Sequence, residues 1–167
     1  MKKILAILFS ATMLFSAIAS ATEVKTTSTV SEQEPAICIG LPNPFIDHKT
    51  LRRAEKTIGF NISVPKSINC STRRVYRTGA DLLEIIYFNG DNEVARIRKA
   101  QGCKDISGDY TIYSAHKRIT NKDSFYDFRG VDDKIFVTNW FKFGYSYSLS
   151  TTGMTQAETE AILQQID

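Results

Sequence analysis

The chain lacks every short motif that would announce a catalytic class. It has no Gly-rich phosphate loop, no GxSxG nucleophile elbow and no HExxH pair, so nucleotide binding, a serine-hydrolase elbow and a zinc-protease helix have no local signature. Histidine is nearly missing: His48 and His116 stand alone, with no carboxylate or cysteine at metal-ligand spacing from either. That pattern implies no metal or cofactor and reads as solvent-exposed or loop histidines. The three cysteines, Cys38, Cys70 and Cys103, form no CxxC pair, which excludes a thioredoxin-type motif. One disulfide plus one free thiol, with three choices of pair, and three reduced thiols are both open readings.

Long apolar runs are missing too, except at the start. Lys2 and Lys3, the apolar run Ile4 to Ile18, and Ala19-Ser20-Ala21 read as a cleavable secretory signal over 1–21. A bilayer span needs roughly 20 apolar residues, which this run does not reach, and no lipobox cysteine follows it. Removing 21 of 167 residues leaves 146, one domain's worth of chain. The removal takes two of the 21 Lys+Arg and leaves 19 against 18 acidic residues, a net charge of +1 that demands neither nucleic acid nor an anionic membrane.

Residues 22–36 are Thr/Ser/Glu-rich and poor in apolar groups, and they read as a flexible tether. A single domain is expected over 37–167. Pro42 and Pro44 favour an extended entry. Leu51, Ala54 and Ile58 then fall at helical spacing between Thr50, placed to cap the start, and Gly59, placed to end the helix. Arg52 and Arg53 in its first turn oppose the helix dipole.

Alternation follows. Phe60, Ile62 and Val64 mark a half-buried strand that Pro65 ends. Arg73 to Arg77 is a second strand, and Leu82 to Phe88 a central strand, apolar on both faces. Asn89-Gly90-Asp91-Asn92 joins it to Glu93–Lys99 as a hairpin. Tyr110–Lys117, Ser124–Phe128, Lys134–Phe143 and Tyr145–Ser150 are further strands, with turns at Asn121-Lys122-Asp123, around Gly130-Val131-Asp132-Asp133 and at Gly144. The intervals are too short for crossover helices, so the pairing is antiparallel. The capping box Thr155-Gln156-Ala157-Glu158 opens a last helix over Gln156–Gln165.

Three groups are candidate binding residues. Arg96 and Arg98 share one face of their strand, as half of a cross-strand ion pair or as a site for an anionic ligand. Asp105, Ser107 and Asp109 gather oxygens around Gly108, but without the spacing of an EF-hand they read as an Asx/Ser turn. Trp140, Tyr145 and Tyr147, with Phe141 and Phe143, pack a sheet or line a concave surface for an acyl chain or extended peptide.

Three stretches carry a resemblance. Gly40-Leu41-Pro42-Asn43-Pro44-Phe45 runs into Leu51–Phe60; Ile97-Arg98-Lys99-Ala100 precedes Asp105–Tyr110; and Trp140 precedes Gly144-Tyr145-Ser146-Tyr147-Ser148. Together they resemble a bacterial family of exported domains of unknown function, found also on the extracytoplasmic parts of anti-sigma factors. The resemblance implies a secreted member typical of Gram-positive bacteria, with a fold similar to the lipoprotein-carrier proteins. Arg52 or Arg53 stands where that family usually carries an acidic residue. No sigma-binding segment or membrane helix follows the signal, and the family supplies no catalytic residues.

The fold expected is α+β: a curved antiparallel sheet of about seven to eight strands, packed by a short N-terminal helix and a C-terminal helix. The function expected is that of a secreted or cell-surface-associated, non-enzymatic, monomeric domain. It binds a lipid, a peptide or an envelope protein, with no nucleic-acid partner. An envelope-stress sensing domain and a hydrolase using His116 or a cysteine are the alternatives.

Overall fold

Thr50 and Gly59 delimit the first helix as their chemistry requires. In the computed structural model, which describes residues 44–121 and 124–167, α1 runs Leu51–Ile58. The Thr50 hydroxyl accepts from the Arg53 amide, and Gly59 closes the helix at φ +87°. The signal, the tether, Cys38 and the turn residues Lys122 and Asp123 lie outside the described residues.

Eight strands form one open antiparallel sheet: β1 (Ile46–His48), β2 (Arg73–Thr78), β3 (Leu82–Asn89), β4 (Asn92–Gln101), β5 (Ala115–Asn121), β6 (Ser124–Val131), β7 (Ile135–Lys142) and β8 (Tyr145–Thr152). Helix α2 follows at Gln156–Leu163 behind a complete capping box from Thr155 and Glu158. The α+β curved sheet with one helix near each end of the domain is therefore the architecture. Among the described residues no helix is long and apolar enough to cross a membrane.

The strand order is β1-β2-β3-β4-β8-β7-β6-β5. Two four-stranded meanders lie edge to edge, with the last strand of one against the last strand of the other, so that Ile97 faces Leu149. Both are fully buried, and each contributes about 1.5–3 kcal/mol by leaving water.

Alternation sorts the side chains into two faces. One face carries Leu83, Ile85, Tyr87, Ile97, Leu149, Trp140 and Phe128, all in a single core cluster with Ala54 of α1 and Leu163 of α2. Thr151 of β8 and Thr159 of α2 share a buried hydroxyl contact at 2.8 Å that holds the second helix on this face.

Two of the expected strands differ from the sequence pattern, and β1 is a strand that the sequence pattern does not give. Residues 60–64 keep the predicted alternation, with Ile62 buried and Asn61 and Ser63 exposed, but they are not part of the sheet. Ser63 pairs with Asp167 alone (2.7 and 3.1 Å). The Ile62 amide is taken by the Glu55 carboxylate at 3.0 Å and Pro65 has no amide to give, so no ladder can form. The segment instead lies across the core face, fixed where the Tyr87 hydroxyl donates to the Pro65 carbonyl at 2.7 Å. The second difference is that β5 begins at Ala115 rather than Tyr110.

Candidate functional sites on two faces

Strand β4 places Ala95, Ile97 and Lys99 on the apolar face, and the third of these breaks the pattern. Lys99 is 7% exposed. Its Nζ donates to the Asn61 carbonyl at 2.7 Å and sits 4.7 and 4.8 Å from the ring centres of Tyr145 and Tyr147. Phe60, 5.8 Å away, closes a third side and packs edge-on against Tyr145. The ring faces attract the cation. Among the described residues, however, no carboxylate lies within ion-pairing distance of it. Desolvation pushes the Lys99 pKa below its ordinary 10.5; Asp167 opposes that fall and Lys142 adds to it.

Lys99 lies in an open depression of about 470 Å³, lined also by Asn61, Ile62, Ser63, Phe143, Tyr145, Tyr147 and Asp167. Tyr147, 4% exposed, stacks on Trp140 at 5.2 Å. Burial first, then Asp167 and Tyr145, push its phenol up to about 12, and its hydroxyl has no partner among the described residues. At the rim Phe143 is 83% exposed and holds φ +50° beside Gly144 at +81°. These are the two central residues of a type I′ hairpin turn. A phenylalanine in the left-handed region is strained, and an exposed one is unusual.

The opposite face is polar. One register row crosses all eight strands as Asp47, Arg77, Glu84, Arg98, Ser148, Asn139, Asp127 and Arg118. Glu84, 1% exposed, is gripped by Arg98 at 2.7 Å and Arg96 at 3.2 Å, and Arg96 also holds Glu93 at 2.6 Å. Arg96 and Arg98 thus stand in cross-strand ion pairs.

Over this face runs the connection Gly102–Ser114. Its start is tied down where the Lys104 amide donates to Ser146 Oγ, which donates to the Gly102 carbonyl. Asp105 Oδ1 accepts from the Ser107 amide at 2.8 Å and from its hydroxyl at 2.6 Å, the Asx turn that the sequence suggested. Arg98 donates to the carbonyls of Ile106 and Ser107, and a side chain at Gly108 would collide with its Nη1 at 2.6 Å. Arg129 Nη2 meets Asp105 Oδ2 (2.9 Å), Ser107 Oγ (2.9 Å) and the Asp109 carbonyl (2.7 Å). A guanidinium nitrogen occupies the cluster of oxygens that resembled a cation loop. Beneath, both side-chain amide atoms of Asn139 and the Nε of Arg129 are buried without a hydrogen-bond partner among the described residues.

Both histidines are on strands, not loops. His48 meets the Thr78 hydroxyl at 2.7 Å. His116 Nε2 bonds the carboxylate of Asp127, and the pair lines a cleft of about 300 Å³ with Tyr110, Thr111, Ile112, Tyr113 and Arg129. Its Nδ1 has no partner among the described residues. The arrangement orients an imidazole and leaves one nitrogen to take a proton. Cys70 and Cys103 are exposed free thiols, and the described residues contain no group of three or more metal-ligating side chains.

The candidate residues therefore divide. Arg96, Arg98, Asp105, Ser107 and Asp109 gather on the polar face, while Trp140, Tyr145 and Tyr147 sit on the apolar one. Sequence reasoning missed Lys99, Arg129 and Asp127. The signal for Lys99 was present, as a lysine two places after Ile97 on the apolar side of the strand. Arg129 and Asp127 carried no signal, because only the β5–β6 register and the overlying connection give them partners. Compared with protein-family models, with curated proteins and with solved structures, the chain matches none.

Proposed function

We propose that this chain is an exported, cell-surface or secreted binding domain whose ligand seats in the depression over Lys99. The observation that carries the reading is a lysine only 7% exposed, its ammonium against tyrosine faces and one carbonyl, with no carboxylate within ion-pairing distance among the described residues. Buried charges are normally paired, and an unpaired one costs stability. An open, aromatic-walled hollow around such a charge has the composition of a ligand site: mostly apolar, with a few fixed polar groups. Export rests on the charged, apolar and small-residue pattern of 1–21.

Native mass spectrometry of the protein purified from its own host, with Trp140 fluorescence read during extraction, tests this. A bound mass that leaves on extraction, with a change in the emission of the ring stacked on Tyr147, is the expected result. A bare protein whose emission is also unmoved by hydrophobic probes would refute it.

The His116–Asp127 pair favours a second reading, a hydrolase in which His116 Nδ1 takes a proton from an attacking water. Ester turnover that falls by about 100-fold or more in His116→Ala supports this; turnover equal in the two proteins removes it.

A further inference from the structure

Resting on the reading of the Lys99 depression as a binding site, we infer that its ligand is a small monoanionic organic acid with an apolar body. The ammonium has three N–H donors and gives one to the Asn61 carbonyl; the rings of Tyr145, Tyr147 and Phe60 surround it, and among the described residues no carboxylate pairs with it. Tyr147 offers a second unspent donor in the same hollow. Neighbouring carboxylates are committed elsewhere: Asp167 to Lys142 and Glu55 to the Ile62 amide. An acid head group accepts from Lys99 Nζ and Tyr147 Oη and supplies the missing charge. Ile62, Phe143 and the tyrosine rings supply apolar wall for the rest of the molecule. Amines are repelled by the ammonium. Alcohols bring no charge to it. Asp167 lines the same hollow but is paired with Lys142, and it disfavours any negative charge beyond the one that Lys99 neutralises.

The test is calorimetric titration of the purified chain with octanoate, octanol and octylamine, which share a body and differ in the head. Octanoate is expected to bind at least about tenfold more tightly than octanol, with octylamine weakest. Lys99→Gln, which keeps a polar side chain, abolishes the preference for acid. Tyr147→Phe, which keeps the stacked ring, weakens octanoate roughly threefold to tenfold and leaves octanol unchanged. Octanol equal to octanoate, or a folded Lys99→Gln that still prefers the acid, overturns the ligand class while leaving the binding site standing. Absence of binding by all three probes, together with a bare protein from the host, removes both.

Discussion

Two buried charges on neighbouring strands are accommodated in opposite ways. Glu84 lies inside a ring of guanidinium groups, its nearest partners at 2.7 and 3.2 Å. Lys99 touches aromatic faces and a single carbonyl, and Asp167 acts on it only from beyond ion-pairing distance. Removing one member of a buried ion pair strands the others, so Glu84→Ala is expected to cost about 3–5 kcal/mol in urea unfolding. Lys99 should behave in reverse. A lysine retained for packing alone would lose stability on replacement, whereas Lys99→Met keeps the length, removes an unpaired charge and is expected to gain about 1–2 kcal/mol. A loss of stability in Lys99→Met, measured in the same urea series, would show that the ammonium serves the fold and not a ligand.

At the level of elements, the local signals were readable wherever the hydrogen-bond partners are local. Thr50, Gly59 and the Thr155–Glu158 box delimit the helices because each satisfies backbone groups within a few residues. Segments 60–64 and 110–114 resemble strands by composition, yet the first is held by Glu55 and Asp167 and the second by the Asp109 side chain, none of them a neighbouring strand. The connection over the polar face depends on carboxylates. Burial pushes Asp105 upward, but the Ser107 and Arg129 hydrogen bonds outweigh it and hold its pKa below the ordinary 3.8. Asp109 is likewise raised by burial and lowered further by Tyr113, Thr111 and Arg129. For a depressed carboxylate the stabilisation is complete above the unfolded value and is lost as pH falls through the folded one. The Ser107 and Thr111 amide protons, which donate to these two groups, are therefore expected to shift in NMR spectra with midpoints below the ordinary 3.8, and in Arg129→Ala the midpoints should rise.

For the whole molecule, the decisive contact is the seam where β4 meets β8, since nothing else in the sheet joins the two meanders. Leu149→Ala opens a cavity against Ile97 and is expected to cost about 2–5 kcal/mol. Far-ultraviolet dichroism, reporting the whole sheet, and Trp140 fluorescence, reporting one half, should fall at a single shifted midpoint. Separate midpoints would mean that the meanders fold independently. Alternation, turn residues and caps determined by themselves both helices, most of the strands, the hairpins and the division into an apolar and a polar face, because each depends on contacts between near neighbours in the chain. Which strands close the seam, that a lysine ends up among tyrosines, and that Arg129 reaches into the oxygens of Asp105 and Asp109 were decided only in three dimensions. These contacts join residues tens of positions apart, and their energy depends on a burial and a register that no local pattern encodes.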